Sequence, residues 1–218
     1  MDPRIATGQQ VNANLDNEVL PRLTSENPDL TYSYGGQRKE QDHAISVLGR
    51  SLILALLIMY SLMAIPFGSY TQPLIIMAAV PLGAIGALAG HMLLGLSWGL
   101  WSLYGLVGVF GVVVNDSLMM IRFINDLRDS GLGPADAIIS GARERFRAIM
   151  LTSITTFLGV APLVFETSTY AQHLVPLATS VGFGVFIATI LLMVVVPALV
   201  MTQYNLAARR ERWRMARA

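Results

Sequence analysis

The sequence predicts an all-α membrane protein, a bundle of five transmembrane helices behind a short α/β N-terminal piece. Composition is the first reason. Apolar residues make up 54% of the 218 positions and charged residues 13%, whereas about 25% charged is usual for a soluble domain. Distribution is the second. The apolar residues gather into separate stretches, each near the roughly 20 residues that a helix needs to cross hydrocarbon. The third is a mean hydropathy of +0.55. With 0 cysteines, disulfides, thiolate-ligated zinc, iron–sulfur clusters and thiol catalysis are excluded.

Residues 1–43 are polar and contain no apolar stretch of the kind a signal peptide carries. Val11–Leu23 reads as a short helix with Leu15, Val19, Leu20 and Leu23 on one side. Pro28-Asp29 reads as a turn, Leu30–Tyr34 as a short strand ended by Gly35-Gly36, and Gln37–His43 as a polar helical lead-in. A piece this small is near the lower limit of roughly 40 residues for an independent core. It is expected to belong to something larger.

The spans are expected at Ala44–Ile65, Pro73–Leu94, Ser102–Ile124, Ala148–Phe165 and Leu174–Gln203. Together they make a bundle over 44–203, followed by a basic tail over 204–218. Arg50 lies near the start of the first span and can snorkel outward. The second carries Gly83, Ala84, Gly86, Ala87, Ala89 and Gly90, a small-residue stripe that admits close approach of another helix. A longer loop is expected over 125–147, with a short helix opening at Pro134.

Arginines set the expected orientation. Arg128, Arg143, Arg145 and Arg147 lie in the 125–147 loop, and Arg209, Arg210, Arg212, Arg214 and Arg217 in the tail. The connections near 95–101 and 166–173 carry no Lys or Arg. The positive-inside rule then puts the tail in the cytoplasm and residues 1–43 outside. Nothing upstream in the sequence would export that polar piece, so the chain is expected to be the C-terminal part of a longer protein.

The third span carries Asn115 and Asp116 near its middle. A carboxylate at that depth costs about 2.5–3.5 kcal/mol on insertion scales, so it calls for a use or a partner. Helical spacing places Asp116 with Gly105, Val109 and Val112, and Asn115 with Gly108 and Gly111. Two readings stand side by side: a proton-accepting group, or a packing carboxylate bonded to hydroxyls of a neighbouring helix. Span four offers Thr152, Thr155, Thr156 and Gly159 on one face as candidate partners, unless those hydroxyls bond their own backbone. Arg122 reads as an interfacial anchor. His91, His173 and Glu166 lie at outer span ends and form no metal cluster. Trp98, Trp101 and Tyr104 read as an outer aromatic belt. No nucleotide-binding glycine loop, metalloprotease helix or nucleophile elbow occurs, so neither an enzyme nor a cofactor is expected. The arginine tail is explained by topology and calls for no nucleic acid; its other natural contact is the lipid surface.

Several stretches together resemble the C-terminal end of the inner-membrane permease subunit of resistance–nodulation–division (RND) efflux pumps. They are YGGQRKEQ at 34–41, IPFGSYTQPLIIMAAVPLGAIGALAGH at 65–91, GLVGVFGVVVNDSLMMIRFIND at 105–126 and GARERFRAIMLTSITTFLGVAPLVF at 141–165. The resemblance covers nearly the whole chain. It implies a bacterial inner-membrane subunit of twelve spans, of which these would be the eighth to twelfth, with residues 1–43 the remnant of a periplasmic porter subdomain. It also implies a homotrimer, a periplasmic adaptor, an outer-membrane channel, and proton flow that drives export of drugs or other amphipathic compounds. In many multidrug members a lysine stands at the position of Asn115 and an asparagine at that of Asp116, and the lysine pairs with aspartates of the fourth span. Here that cation is missing. Thr152 matches a threonine of the family's relay, so the resemblance implies Asp116, Asn115 and Thr152 as relay residues. It leaves Gly83, Gly86, Gly90, Gly105, Gly108 and Gly111 as helix-packing positions. The alternative class is a non-transporting membrane scaffold or a truncated, inactive relative.

Overall fold

The computed structural model describes residues 14–26, 37–168, 171–172 and 174–215. The turn at Pro28-Asp29, the strand Leu30–Tyr34 and His173 lie outside the described residues. The chain divides into two compact units, Met1–His43 and Ala44–Ala218. In the first, a π-type turn Leu15–Val19 runs into α1 (Leu20–Glu26), and neither contains a buried residue. Pro21 lies inside the continuous helical run of residues 14–26, where it has no N–H to donate to the preceding turn.

The described elements of the second unit are helices. The lead-in and the first span are one helix, α2 (Gln37–Phe67), which begins in the first unit. Leu52, Leu56, Met59, Met63 and Phe67, spaced by four, three, four and four, form its packing stripe. Its other faces are exposed and apolar, as a lipid-facing helix requires. Gly68, at φ 54°, turns the chain after it.

The expected single helix over Pro73–Leu94 is broken. It consists of α3 (Thr71–Met77) and α4 (Val80–Leu94). Pro81 has no N–H to donate to the Met77 carbonyl, so the α-helical ladder cannot run through. The bonds tighten at the junction, where Ala79 N–H donates to Ile76 O at 3.2 Å and Leu82 N–H to Ala79 O at 3.0 Å. The two pieces together still make one crossing, Thr71–Leu94. Gly95, left-handed at φ 64°, ends α4.

The third span is α5 (Leu100–Asp129), the fourth α6 (Pro134–Val164) and the fifth α7 (Val175–Met215). One expectation is corrected here. The 125–147 segment is not a long loop with its own helix. The helices meet across residues 130–133, where Gly131 takes φ 99°, and α6 continues unbroken from Pro134 into the membrane. The polar residues after Gln203 are likewise helical as far as Met215. Among the described residues five helical segments, α3 and α4 counting as one, are long and apolar enough to cross a membrane.

α7 is the hub, packing against α4, α5 and α6. Lipid tails are as apolar as leucine, so helix association here rests on close van der Waals contact rather than on burial from water. Glycines make that contact possible. A Cβ on Gly83 would stand 2.7 Å from the Val109 side chain, and one on Gly105 2.6 Å from the Leu177 carbonyl oxygen. One on Gly86 would stand 2.8 Å from the carbonyl oxygens of both Phe183 and Gly184, and one on Gly90 would collide with Phe183.

Candidate functional site

Asn115 and Asp116 lie mid-way along α5, and the backbone turn between them sends them to opposite environments. Asp116 is 7% exposed. It shares its face with Val109, Val113 and Met120, all buried, and Val109 lies against Gly83 and Gly184 of the neighbouring helices. Among the described residues no ion pair or hydrogen bond reaches its carboxylate. A buried carboxylate without a donor carries a desolvation cost that a cation or hydrogen-bond donor brought to it would offset.

Asn115 is exposed, and so are Gly108, Gly111, Met119 and Arg122. These recur at helical spacing and form one stripe along α5. A Cβ added to Gly108 or Gly111 would meet nothing within 4 Å. The six expected packing glycines therefore fall into two groups. Gly83, Gly86, Gly90 and Gly105 are in tight contact inside the bundle, whereas Gly108 and Gly111 open onto a bare face.

Thr152 is not brought to Asp116. It is exposed on α6, and its hydroxyl donates to the Ala148 carbonyl one turn back at 3.0 Å. Thr155 does the same to Leu151 at 2.9 Å, and Gly159 has open space beside it. Ser153, one residue on, points inward instead. It is buried and hydrogen-bonds the buried Thr189 hydroxyl of α7. A step of one residue turns a helix by about 100°, so the choice between Thr152 and Ser153 decides which hydroxyl enters the bundle.

Two polar clusters went unrecognised in the sequence. At the end of the bundle where α4 leads into α5, His91 is 1% exposed. Its Nδ1 donates to the Ala87 carbonyl at 2.9 Å, and Ser102 Oγ meets its Nε2 at 2.9 Å. The carbonyl can only accept, so Nδ1 carries a proton, while the hydroxyl of Ser102 can either donate to Nε2 or accept from it. Ser102 Oγ also accepts the Gly99 N–H, and Trp98 stacks on the imidazole at 4.6 Å. The histidine is thus a clasp between α4 and α5. At the opposite end, Gln72 and Asn125 exchange amide hydrogen bonds of 3.2 and 2.9 Å. Tyr204 donates to Asn125 Oδ1 at 3.2 Å, and the Arg128 guanidinium lies 4.2 Å from the Tyr204 ring centroid. α3, α5 and α7 are joined there. The only advance signal was polar residues 53 positions apart, which periodicity cannot pair.

Trp101 and Tyr104 meet edge to face at 6.0 Å. Glu166, just beyond α6, accepts the backbone N–H groups of Ser168 at 2.9 Å and Thr167 at 3.0 Å. Those donors hold its carboxyl below the usual glutamate range. Among the described residues no three His, Cys, Asp or Glu side chains converge as a metal site requires.

Comparison with known proteins covers the same segment. The AcrB/AcrD/AcrF family model matches residues 11–203. The nickel and cobalt resistance protein CnrA of Cupriavidus metallidurans is 31% identical over 172 residues, 79% of this chain and 16% of that protein. The toluene efflux pump membrane transporter TtgB of Pseudomonas putida is 29% identical over 193 residues, 88% of this chain and 18% of that protein. Two crystal structures of a heavy metal efflux pump superpose with TM-scores of 0.74 and 0.72, at 30% and 28% identity. They cover 89% and 88% of this chain and 19% of theirs. The chain spans less than a fifth of the length of these relatives.

Proposed function

Because the chain belongs to the AcrB/AcrD/AcrF family of RND efflux transporters, we propose that it is the C-terminal membrane portion of a proton-driven exporter. The observation that carries this reading is the α5 mid-section: a buried, donor-free carboxylate at Asp116 beside the bare Gly108–Gly111–Asn115 face. A bare glycine and amide face within a membrane is built for close approach of another helix. In this reading the helix that covers it belongs to the rest of the permease and supplies the cation that the Asn115 position lacks. Asp116 takes up and releases the proton. Asn115 orients the approaching groups, and Thr152 acts from the exposed side of α6. The assembly is a homotrimer in the bacterial inner membrane, with residues 1–43 periplasmic and the tail cytoplasmic. It works with a periplasmic adaptor and an outer-membrane channel.

Amphipathic compounds are the proposed cargo, in keeping with the toluene pump among the relatives. Metal ions are the second reading, favoured by the relative named for nickel and cobalt and by the heavy-metal pump structures. Membrane vesicles containing the complete permease decide both points. An imposed proton gradient should drive accumulation of either a dye or a divalent cation, and Asp116→Asn should abolish it with the trimer intact. Undiminished transport by Asp116→Asn would leave Asp116 a packing residue.

A further inference from the structure

At the end of the bundle that carries the Gln72–Asn125 junction, a cleft of about 410 Å³ opens between the end of α2, the start of α3 and the last turns of α5. Its wall changes character along α5. Pro66, Phe67 and Leu118 make an apolar part, and Arg122, Asp126 and Asp129 a charged part. The other polar lining groups are already engaged. Gln72 and Asn125 bond each other, and Arg128 lies over Tyr204. Arg122, Asp126 and Asp129 are exposed, and among the described residues none of them makes an ion pair. Arg122 and Asp126 stand at the four-residue spacing that allows a helical ion pair, yet they remain unpaired. One guanidinium and two carboxylates thus line a single cleft without neutralising one another.

A ligand with one charge leaves part of this lining unmatched. A bare anion meets Arg122 but is repelled by the carboxylates, and a bare cation does the reverse. A zwitterion satisfies both. We propose that the cleft binds the headgroup of a zwitterionic aminophospholipid, with its phosphate on Arg122 and its primary ammonium on Asp126 and Asp129. The order along the helix matches. At 1.5 Å rise per residue, Asp126 and Asp129 lie about 6 and 10 Å further toward water than Arg122. A phospholipid presents acyl chain, phosphate and ammonium in that sequence, which puts its chains beside Leu118 and Phe67. The planar guanidinium can grip the phosphate through two hydrogen bonds, and the ammonium has three donors for the two carboxylates.

The test is native mass spectrometry of the full chain in mild detergent, titrated with dioleoyl phosphatidylethanolamine, phosphatidylcholine, phosphatidylglycerol or soluble O-phosphoethanolamine. Phosphatidylethanolamine should be held about tenfold more tightly than the other two lipids, the size of one charge-assisted hydrogen bond. Arg122→Gln should weaken it by a similar factor. Asp126→Asn with Asp129→Asn should erase the preference over phosphatidylcholine, whose trimethylated ammonium has no donors, and should not weaken phosphatidylglycerol. Arg122→Lys, which keeps the charge, should retain the preference if Arg122→Gln proves unstable by its circular-dichroism melt. Equal binding of phosphatidylglycerol, or wild-type selectivity in the carboxamide variant, would overturn the proposal. Displacement of the lipid by an equal concentration of O-phosphoethanolamine would overturn its lipid part, leaving a site for the free phosphate–ammonium group.

Discussion

Replacing Gly86 by alanine should destabilise the bundle, while the same replacement at Gly108 should not. A Cβ at Gly86 would stand 2.8 Å from two carbonyl oxygens of α7 and 3.1 Å from the Gly184 Cα. Comfortable C···O contacts begin near about 3.3 Å, so α4 and α7 would have to part by roughly 0.5 Å. The obstructing atoms are helical backbone, which no rotamer change can remove. Overpacking of this kind costs about 1–3 kcal/mol, against about 1 kcal/mol returned by replacing a helical glycine with alanine. At Gly108 nothing lies within 4 Å, and only the propensity gain remains. That gain is common to both variants, so the difference between them isolates the steric effect at about 1–3 kcal/mol. The assay is reversible unfolding of the 218-residue chain in mixed micelles, followed by helical ellipticity. Equal stability of the two variants within about 0.5 kcal/mol would refute the reasoning. On the proposed docking role, Gly108→Ala should become harmful only in the complete permease, where it would show as lost transport.

Ser153→Ala should cost about 1–2 kcal/mol by leaving the Thr189 hydroxyl buried without a partner, and adding Thr189→Val should recover part of that loss; Thr152→Val should stay within about 0.5 kcal/mol. The unfolding assay separates them, and equal effects at 152 and 153 would contradict the assigned faces. A double-mutant cycle on Gln72→Ala and Asn125→Ala should give a coupling of about 0.6–1.7 kcal/mol, whereas strict additivity would mean that the amide pair does not form. An NMR titration of the Glu166 carboxyl should place its midpoint below that of an ordinary glutamate. The folded value is the depressed one, so whatever the turn gains is present above the ordinary glutamate value and is lost as pH falls through the folded value. An unshifted midpoint would show that the Thr167 and Ser168 N–H groups do not hold it.

Span number and type were legible because hydrocarbon thickness imposes a length that composition reveals directly. Where the helices end was less legible. Hydropathy marks where lipid begins, not where helix stops, so residues 134–147 read as a loop with a short separate helix and residues 204–215 simply as a tail, although both continue the helices of their spans. The break before Val80 was signalled by Pro81, but an apolar run hides a proline when only hydropathy is followed. The close contacts of Gly83, Gly86 and Gly90 follow a pattern within one helix and could be expected from it. The Ser153–Thr189 and Gln72–Asn125 bonds depend on the rotation of two helices about their axes. A single sequence fixes that rotation poorly where small and apolar residues occur all round.

The same rotation governs what the adjacent polar residues of α5 can do. Asp116 stands on the face that Val109 presses against Gly83 and Gly184, while Asn115 stands on the bare face with Gly108 and Gly111. If a helix docks on that bare face, it meets the amide first. An amide donates and accepts without changing its protonation, so it can orient a group beside Asp116 but cannot itself hold the proton in transit. A lysine at position 115 would have brought the counter-charge on α5 itself. With asparagine there, the bundle leaves the charge of Asp116 to be balanced from outside these five spans or by protonation. On the proposed proton role, such a site would change its charge state when the covering helix arrives or departs. This is the property by which a proton site can be coupled to a conformational step.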